Sequence, residues 1–82
     1  MSPRSEEFMA SARGRLAGAR DALDTGHPDL AASAAYYSML YAARAALSEA
    51  DLYAKTHSGV WALFAERIVI GSRVRPRPRK AD

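Results

Sequence analysis

The segment from Leu30 to Ser48 carries a single charged side chain, Arg44, and three of the four tyrosines of the chain. Its Leu, Ala and Tyr residues recur three and four positions apart, which is the spacing of an apolar helix stripe. These positions fill more than one stripe, so the helix must contact neighbours on several faces. The sequence therefore predicts a central helix that begins with Asp29 as its cap and ends near Ala50.

A first helix is predicted before this segment. Ser2 followed by Pro3 is typical of a helix start, because Ser caps free amides and Pro already has the helical φ. Apolar residues then recur at helical spacing, and Gly26 followed by a proline is typical of a helix end. These signals predict a helix from Pro3 to Thr25.

A third helix is predicted after a short connector. Thr56 is a suitable cap for a helix that begins at His57, and Gly71 supplies its end. No segment of residues 1–70 shows the alternation of a half-buried strand. We therefore predict an all-α fold, an up-and-down antiparallel bundle of three helices over residues 1–70.

The positive charge of the chain is concentrated at its C-terminal end. The net charge is +3, yet residues 71–82 alone hold five basic side chains against one acidic side chain. Prolines prevent a regular helix in this segment, so residues 71–82 are predicted to form a disordered Arg/Pro-rich tail. The remaining residues are close to neutral, so the overall pI does not by itself indicate nucleic-acid binding.

The composition excludes several classes of protein. The absence of Cys excludes a disulfide scaffold, a thiolate zinc site and a Cys nucleophile. With two His residues and scattered carboxylates, neither a metal site nor a cofactor is predicted. No apolar run approaches the roughly 20 residues of a membrane helix, and the N-terminus lacks a signal peptide's apolar region. The sequence predicts a soluble cytoplasmic protein with no membrane association.

Two sequence blocks carry a family resemblance. The first is AYYSMLYAARAAL at 35–47, and the second is KTHSGV at 55–60, followed by ALF at 62–64. At this mutual spacing they resemble HEPN-domain proteins, over approximately residues 5–66. The resemblance implies a helical bundle that is often dimeric. It also implies a nucleotidyltransferase partner, with which such proteins act as a toxin–antitoxin or RNA- and nucleotide-handling pair.

The chain departs from the family pattern in two ways. Family bundles usually have four or five helices, whereas the resemblance stops after Glu66, so the later helices are expected to be missing. Ribonuclease members carry an Arg-x4–6-His motif on a later helix, and no such motif follows Arg44. Arg20 and His27 fit the spacing, but chance gives such matches in an Arg-rich chain. No catalytic residue is therefore assigned.

One helix face supplies the first candidate site. Tyr37, Tyr41 and Arg44 are spaced i, i+4 and i+7, which places two hydroxyls and a guanidinium together. Such a face could bind a nucleotide phosphate or an RNA backbone, with Tyr available for stacking. The alternative is an internal salt bridge from Arg44 to a carboxylate of another helix, namely Asp21, Asp24 or Glu66.

His57 and Ser58 form the second candidate site. A helix N-terminus disfavours the imidazolium form, so a neutral His57 could act as a base or bind a ligand. Ser58 and the free amides of that turn would suit an anion. The alternative is a histidine that is hydrogen-bonded to the preceding loop.

Three functional interpretations remain open. The first is a non-catalytic HEPN-type binding module that works with a nucleotidyltransferase and with RNA or a nucleotide. The second is a ribonuclease toxin that uses Arg44 and His57, or Arg20 and His27 as a dimer-composite site. The third is a truncated remnant that acts only through oligomerisation. The missing motif favours the first, and the uncovered apolar surface of a small bundle predicts a homodimer or larger assembly.

Overall fold

The structure is a computed structural model that describes residues 1–71. These residues form helices with short connections and contain no strand. Helix α1 spans Pro3–Asp24, α2 spans Pro28–Glu49 and α3 spans His57–Phe64, with a π-helical segment, Ala65–Ile70, directly after α3. The predicted all-α helical bundle is confirmed. The tail predicted for residues 71–82 lies outside the described part, apart from Gly71. None of the described helices combines the length and apolar character needed to cross a membrane.

Helices α1 and α2 form an antiparallel pair that packs through small side chains. The Ser5 hydroxyl donates to the Ala45 carbonyl at 3.3 Å, and the Ser38 hydroxyl donates to the Ala12 carbonyl at 2.8 Å. Ser5 is fully buried, and its bond satisfies a hydroxyl that would otherwise be costly to bury. Gly26, with a φ of +79°, provides the turn between the helices. The two helices approach closely along this seam, and larger side chains meet beside it, where Phe8 of α1 stacks on Tyr41 of α2.

The N-terminus of α1 is held against the end of α2. The Ser2 hydroxyl accepts from the Ser5 amide, which confirms the predicted cap, and the Ser2 amide donates to the Glu49 carboxylate at 2.8 Å. The Ser5 hydroxyl and then the Ser2 amide lower the pKa of Glu49. Because the pKa of Glu49 is lower in the folded state than in the unfolded state, the contact stabilises the fold at pH values above the unfolded-state pKa. This stabilisation is lost as the pH falls through the lowered folded-state pKa.

Two helix boundaries differ from the sequence prediction. The prediction that Asp29 caps α2 is wrong, because the helix begins at Pro28 with His27 in the cap position. A proline at the first helical position needs no amide partner, so Asp29 lies within the first turn, where its charge still favours the helix dipole. The last predicted helix keeps α geometry only to Phe64 and then widens into the π-helical segment.

The core lies between α2 and α3. Its buried members are Leu40, Ala43, Leu47 and Val60, and Val60 is completely buried. The connector between the two helices closes this core, since Leu52 packs against it and donates its amide to the Leu47 carbonyl at 2.8 Å. Burial of each aliphatic side chain is worth about 1.5–3 kcal/mol. The connector is therefore part of the folded core rather than a free loop.

Candidate functional site

The connector between α2 and α3, residues 50–56, runs back alongside α2 and thereby sets the position of α3. The Arg44 guanidinium on α2 donates to the Ala54 carbonyl at 2.9 Å, and the Thr56 hydroxyl accepts from the Gly59 amide at 3.0 Å. The second bond is the predicted cap of α3, which is confirmed. As a result, α3 begins beside the middle of α2, with His57 next to Tyr37.

Gly59 is required where the cap closes. A Cβ at this position would lie 2.8 Å from the Thr56 hydroxyl oxygen and 3.3 Å from the Ala54 Cβ. Real Cβ atoms do not approach an oxygen that closely, and Ala54 is itself packed against the core. The glycine of the KTHSGV block therefore allows the capped turn to pack against the connector.

Four aromatic and cationic groups from three helices meet around Tyr37. The Cζ atom of Arg15, on α1, lies 5.4 Å from the Tyr37 ring centroid and 5.9 Å from that of Tyr41. Both distances are within cation–π range. The His57 ring packs edge-on against Tyr37, with centroids 5.6 Å apart. The two tyrosines of the first candidate site, Tyr37 and Tyr41, thus lie near His57 of the second candidate site, and Arg15 adds a cation.

The aromatic side chains continue on both sides of this point. Tyr36 contacts the Tyr37 ring at 5.4 Å and the Trp61 ring at 6.2 Å, and Trp61 Nε1 donates to the Tyr36 hydroxyl at 3.1 Å. On the other side, Phe8 stacks on Tyr41 with centroids 6.3 Å apart. We call these five rings the aromatic track: Phe8 and Tyr41 on one side of Arg15, and Tyr37, Tyr36 and Trp61 on the other.

The Arg44 guanidinium lies against the connector between α2 and α3. Its partners are the Ala54 carbonyl and the Tyr53 ring, whose centroid lies 5.8 Å from Cζ. Within residues 1–71 the only ion pair joins Arg67 to Glu66, so the predicted interhelical salt bridge is wrong. The connector passes beside the guanidinium and offers a carbonyl that needs a donor. Arg44 also lies about 10 Å along α2 from Tyr37, because the two are seven positions apart in the helix.

The remaining candidates lie at the edge of the site or away from it. The Ser58 hydroxyl is exposed in the first turn of α3, 3.4 Å from the Thr56 hydroxyl. His27 is in the loop between α1 and α2, where its Nδ1 lies 3.1 Å from the Thr25 hydroxyl. Arg20 is exposed on α1. The described residues contain no cluster of His, Asp or Glu that could hold a metal ion.

Comparison with known proteins identifies the family. A family model described as HEPN domain matches residues 5–77. The chain belongs to the HEPN domain family. The UPF0332 protein glr0978 from Gloeobacter violaceus is similar to this HEPN domain, with 35% identity over 74 residues, which cover 90% of this chain and 59% of that protein. The chain therefore spans less than two thirds of that relative's length. No solved structure gives a significant match.

The two sequence blocks of this HEPN domain meet in space. The first block supplies the tyrosines of the aromatic track and Arg44, and the second supplies the Thr56 cap, His57 and Gly59. The family match also extends beyond Glu66, where the sequence resemblance ends, to residue 77.

The sequence alone did not reveal Arg15 as a member of this site. On α1 it is one of several exposed arginines with the same local pattern, so spacing along the helix does not distinguish it from Arg13 or Arg20. Tyr36 and Trp61 lie at apolar positions of helical periodicity, which is typical of packing, and their mutual hydrogen bond depends on how α3 docks.

Proposed function

We propose that this HEPN domain is a non-catalytic binding module that contacts RNA or nucleotides through Arg15, Tyr37, Tyr41 and His57, with Ser58 at the edge. In this proposal it works in the cytoplasm as one member of a toxin–antitoxin or RNA-handling pair, with a nucleotidyltransferase as the other. The observation that carries the proposal is the position of Arg15 over both tyrosine rings, with the His57 ring packed against that of Tyr37.

The chemistry of these groups supports a nucleic-acid ligand. Aromatic faces stack on bases, and a planar guanidinium donates to phosphate oxygens in two directions. Arg15 and His57 are exposed, so their donors are accessible from solvent. Three separate helices contribute to the surface, which fixes the relative positions of the groups without a flexible loop.

A matched pair of histidine variants tests the proposal. We expect His57→Ala to weaken binding of a labelled RNA about tenfold, because it removes a donor whose hydrogen bond to a charged phosphate contributes roughly 1.5–3 kcal/mol. His27→Ala changes the other histidine of the chain, in the α1–α2 loop, and should leave binding unchanged. Fluorescence anisotropy measures both affinities. Equal binding by the wild type and both variants would contradict the proposal.

RNA cleavage is the second candidate function, because Arg15 and His57 both lie against one tyrosine ring. Cleavage needs a base at the 2′-hydroxyl and a cation at the same phosphate. Arg44 is bonded to the connector, which separates it from such a pair.

We expect no cleavage above background by the purified chain, and no difference when Arg44→Ala and His57→Ala are assayed beside it. A gel assay of end-labelled RNA checks this. Cleavage by the wild type that is lost in either variant would show that the domain is a ribonuclease and not a non-catalytic binding module.

An apolar groove on the α2–α3 side supports the proposed homodimer. It has a volume of about 340 Å³ and is lined by Met39, Ala42, Ala43, Ala46, Trp61 and Phe64. Met39 is 58% exposed and carries no charge, so water contacts apolar surface here. A second copy of the chain would cover this surface. The nucleotidyltransferase partner is tested separately, by the identity of the adjacent gene and co-purification of its product.

We expect Met39→Glu to shift the chain from dimer to monomer, because a carboxylate at the rim of the groove would have to be desolvated on association. Leu30→Glu serves as the control, since Leu30 is similarly exposed at 62% and lies in the first turn of α2, outside the lining of the groove. Sedimentation equilibrium at micromolar concentration measures both. A folded wild-type monomer at that concentration would contradict the assembly.

A further inference from the structure

We infer that a cleft between the start of α1, the end of α2 and the connector binds a small organic monocarboxylate with an apolar body. The inference goes beyond the proposed function, because the residues that line this cleft differ from Arg15, Tyr37 and His57. We call it the connector cleft and define it by six lining residues: Arg4, Phe8, Arg44, Ser48, Leu52 and Tyr53.

The connector cleft has the size of a small-ligand site. Its outer opening has a volume of about 320 Å³, and sites for small ligands begin at roughly 300 Å³. A much smaller inner opening, of about 10 Å³, extends it to the buried Leu47. The two openings form one cleft, because four residues line both of them: Arg4, Ser48, Leu52 and Tyr53.

The end of α2 fixes one wall of the cleft. The chain leaves this helix through Asp51, whose φ of +57° lies in the left-handed region. The Asp51 amide donates to the Ser48 carbonyl at 3.0 Å, and the Leu52 amide donates to the Leu47 carbonyl at 2.8 Å. Such a pair of bonds closes many helices, and Leu52 is also packed against the core. The wall is therefore formed before a ligand arrives, which lowers the entropy lost on binding.

Two guanidiniums in the cleft have donors that a ligand can use. Arg44 gives one donor to the Ala54 carbonyl, and a guanidinium has five. Arg4 is exposed in the first turn of α1. Within residues 1–71 the one ion pair joins Arg67 to Glu66, so neither cleft arginine is paired with a carboxylate there. The planar fork of donors in a guanidinium matches the two oxygens of a carboxylate.

Acidic side chains limit the charge of the ligand. Asp51 lines the same opening as Arg4 and Ser2, and the Ser2 amide holds the Glu49 carboxylate at 2.8 Å. A phosphate monoester carries about 1.5–2 negative charges at neutral pH, whereas a carboxylate carries one. Repulsion between like charges grows with the charge of the ligand. Two cations beside two carboxylates therefore favour a monoanion over a phosphate ester.

Apolar surface beside the guanidiniums favours an acid with an apolar body. Tyr53 is 61% exposed, and the half-buried Leu52 and Phe8 lie in the same cleft. A body that covers these side chains removes apolar surface from water, and burial of such surface is the main source of affinity for small ligands. Acetate has the charge but lacks this body.

Hydrocinnamate, a phenyl ring joined to a carboxylate by two methylene groups, is the probe. It is titrated into the full chain, and heteronuclear NMR follows the backbone amides of Ser48, Asp51 and Tyr53. Acetate supplies the charge alone, hydrocinnamyl alcohol supplies the body alone, and phenyl phosphate supplies a ring with a higher charge. Hydrocinnamate should bind at least about tenfold more tightly than acetate or the alcohol, and more tightly than phenyl phosphate.

Three variants locate the ligand and test the charge argument. Arg4→Gln should weaken hydrocinnamate binding about fivefold or more, because it removes a charged donor. The fold should persist, since a cation in the first turn opposes the helix dipole. Arg13→Gln removes the same charge from an exposed position of α1 outside the cleft and should bind like the wild type. Asp51→Asn keeps a residue that accepts the left-handed conformation and should strengthen phenyl phosphate binding more than hydrocinnamate binding.

Each contrary result would overturn the inference. Preference for phenyl phosphate would overturn the monocarboxylate class, and equal affinity of the Arg4 and Arg13 variants would overturn the location. Shifts confined to the amides around Tyr37 and His57, or no binding of hydrocinnamate, would also overturn it. The RNA anisotropy of the His57 variant tests the proposed function independently of these results.

Discussion

Replacing Leu47 with Ala will destabilise the domain by about 2–5 kcal/mol. Leu47 is 1% exposed and packs in the same cluster as Leu40 and Val60. Its removal leaves a cavity that rigid neighbours cannot fill, because Ala43 beside it is already small. One core in a chain of this size contributes only about 3–5 kcal/mol of net stability, so the substitution should remove a large part of it.

Urea unfolding followed by far-UV circular dichroism measures this change in the free energy of unfolding. Leu23→Ala is the matched control, because Leu23 is a leucine near the end of α1 that is 64% exposed. Substitution there should change stability by less than about 0.5 kcal/mol. Similar losses in the two variants would show that the domain is not held together by the core between α2 and α3.

Replacing Arg44 with Met will loosen the connector and cost about 1–3 kcal/mol. Met keeps an apolar stem of similar length but cannot donate to the Ala54 carbonyl, which is left without its side-chain donor. The same connector leads to Thr56 and His57, so His57 should lose its fixed position against Tyr37. We therefore expect weaker RNA binding as an indirect consequence.

Thermal unfolding and RNA anisotropy, measured together, distinguish the two roles of Arg44. Arg67→Met is the control, because within residues 1–71 Arg67 pairs with the neighbouring Glu66 on the surface, and such a pair contributes little to stability. Arg44→Lys retains a donor and should recover part of the lost stability. Reduced RNA binding with unchanged stability would restore the interpretation, based on sequence spacing, that Arg44 itself contacts the ligand.

The helices of this HEPN domain follow from local sequence patterns. The Ser2 and Thr56 caps depend on hydrogen bonds that reach three residues along the chain, so residue type and spacing predict them. The central position of α2 likewise follows from the near absence of charge between Leu30 and Ser48. The incorrect prediction that Asp29 caps α2 also concerns adjacent residues. Pro28 occupies the first helical position, so His27 rather than Asp29 is the cap residue.

The candidate site depends on contacts that no local pattern encodes. Arg15 reaches Tyr37 because the seam of Ala and Ser side chains sets the register of α1 against α2. Arg44 pairs with a backbone carbonyl because the connector turns back along α2, and a carbonyl is present at every residue, so sequence cannot select Ala54. Helical periodicity states which residues share a face of one helix. The docking of separate helices decides which faces meet, and only the tertiary structure contains that information.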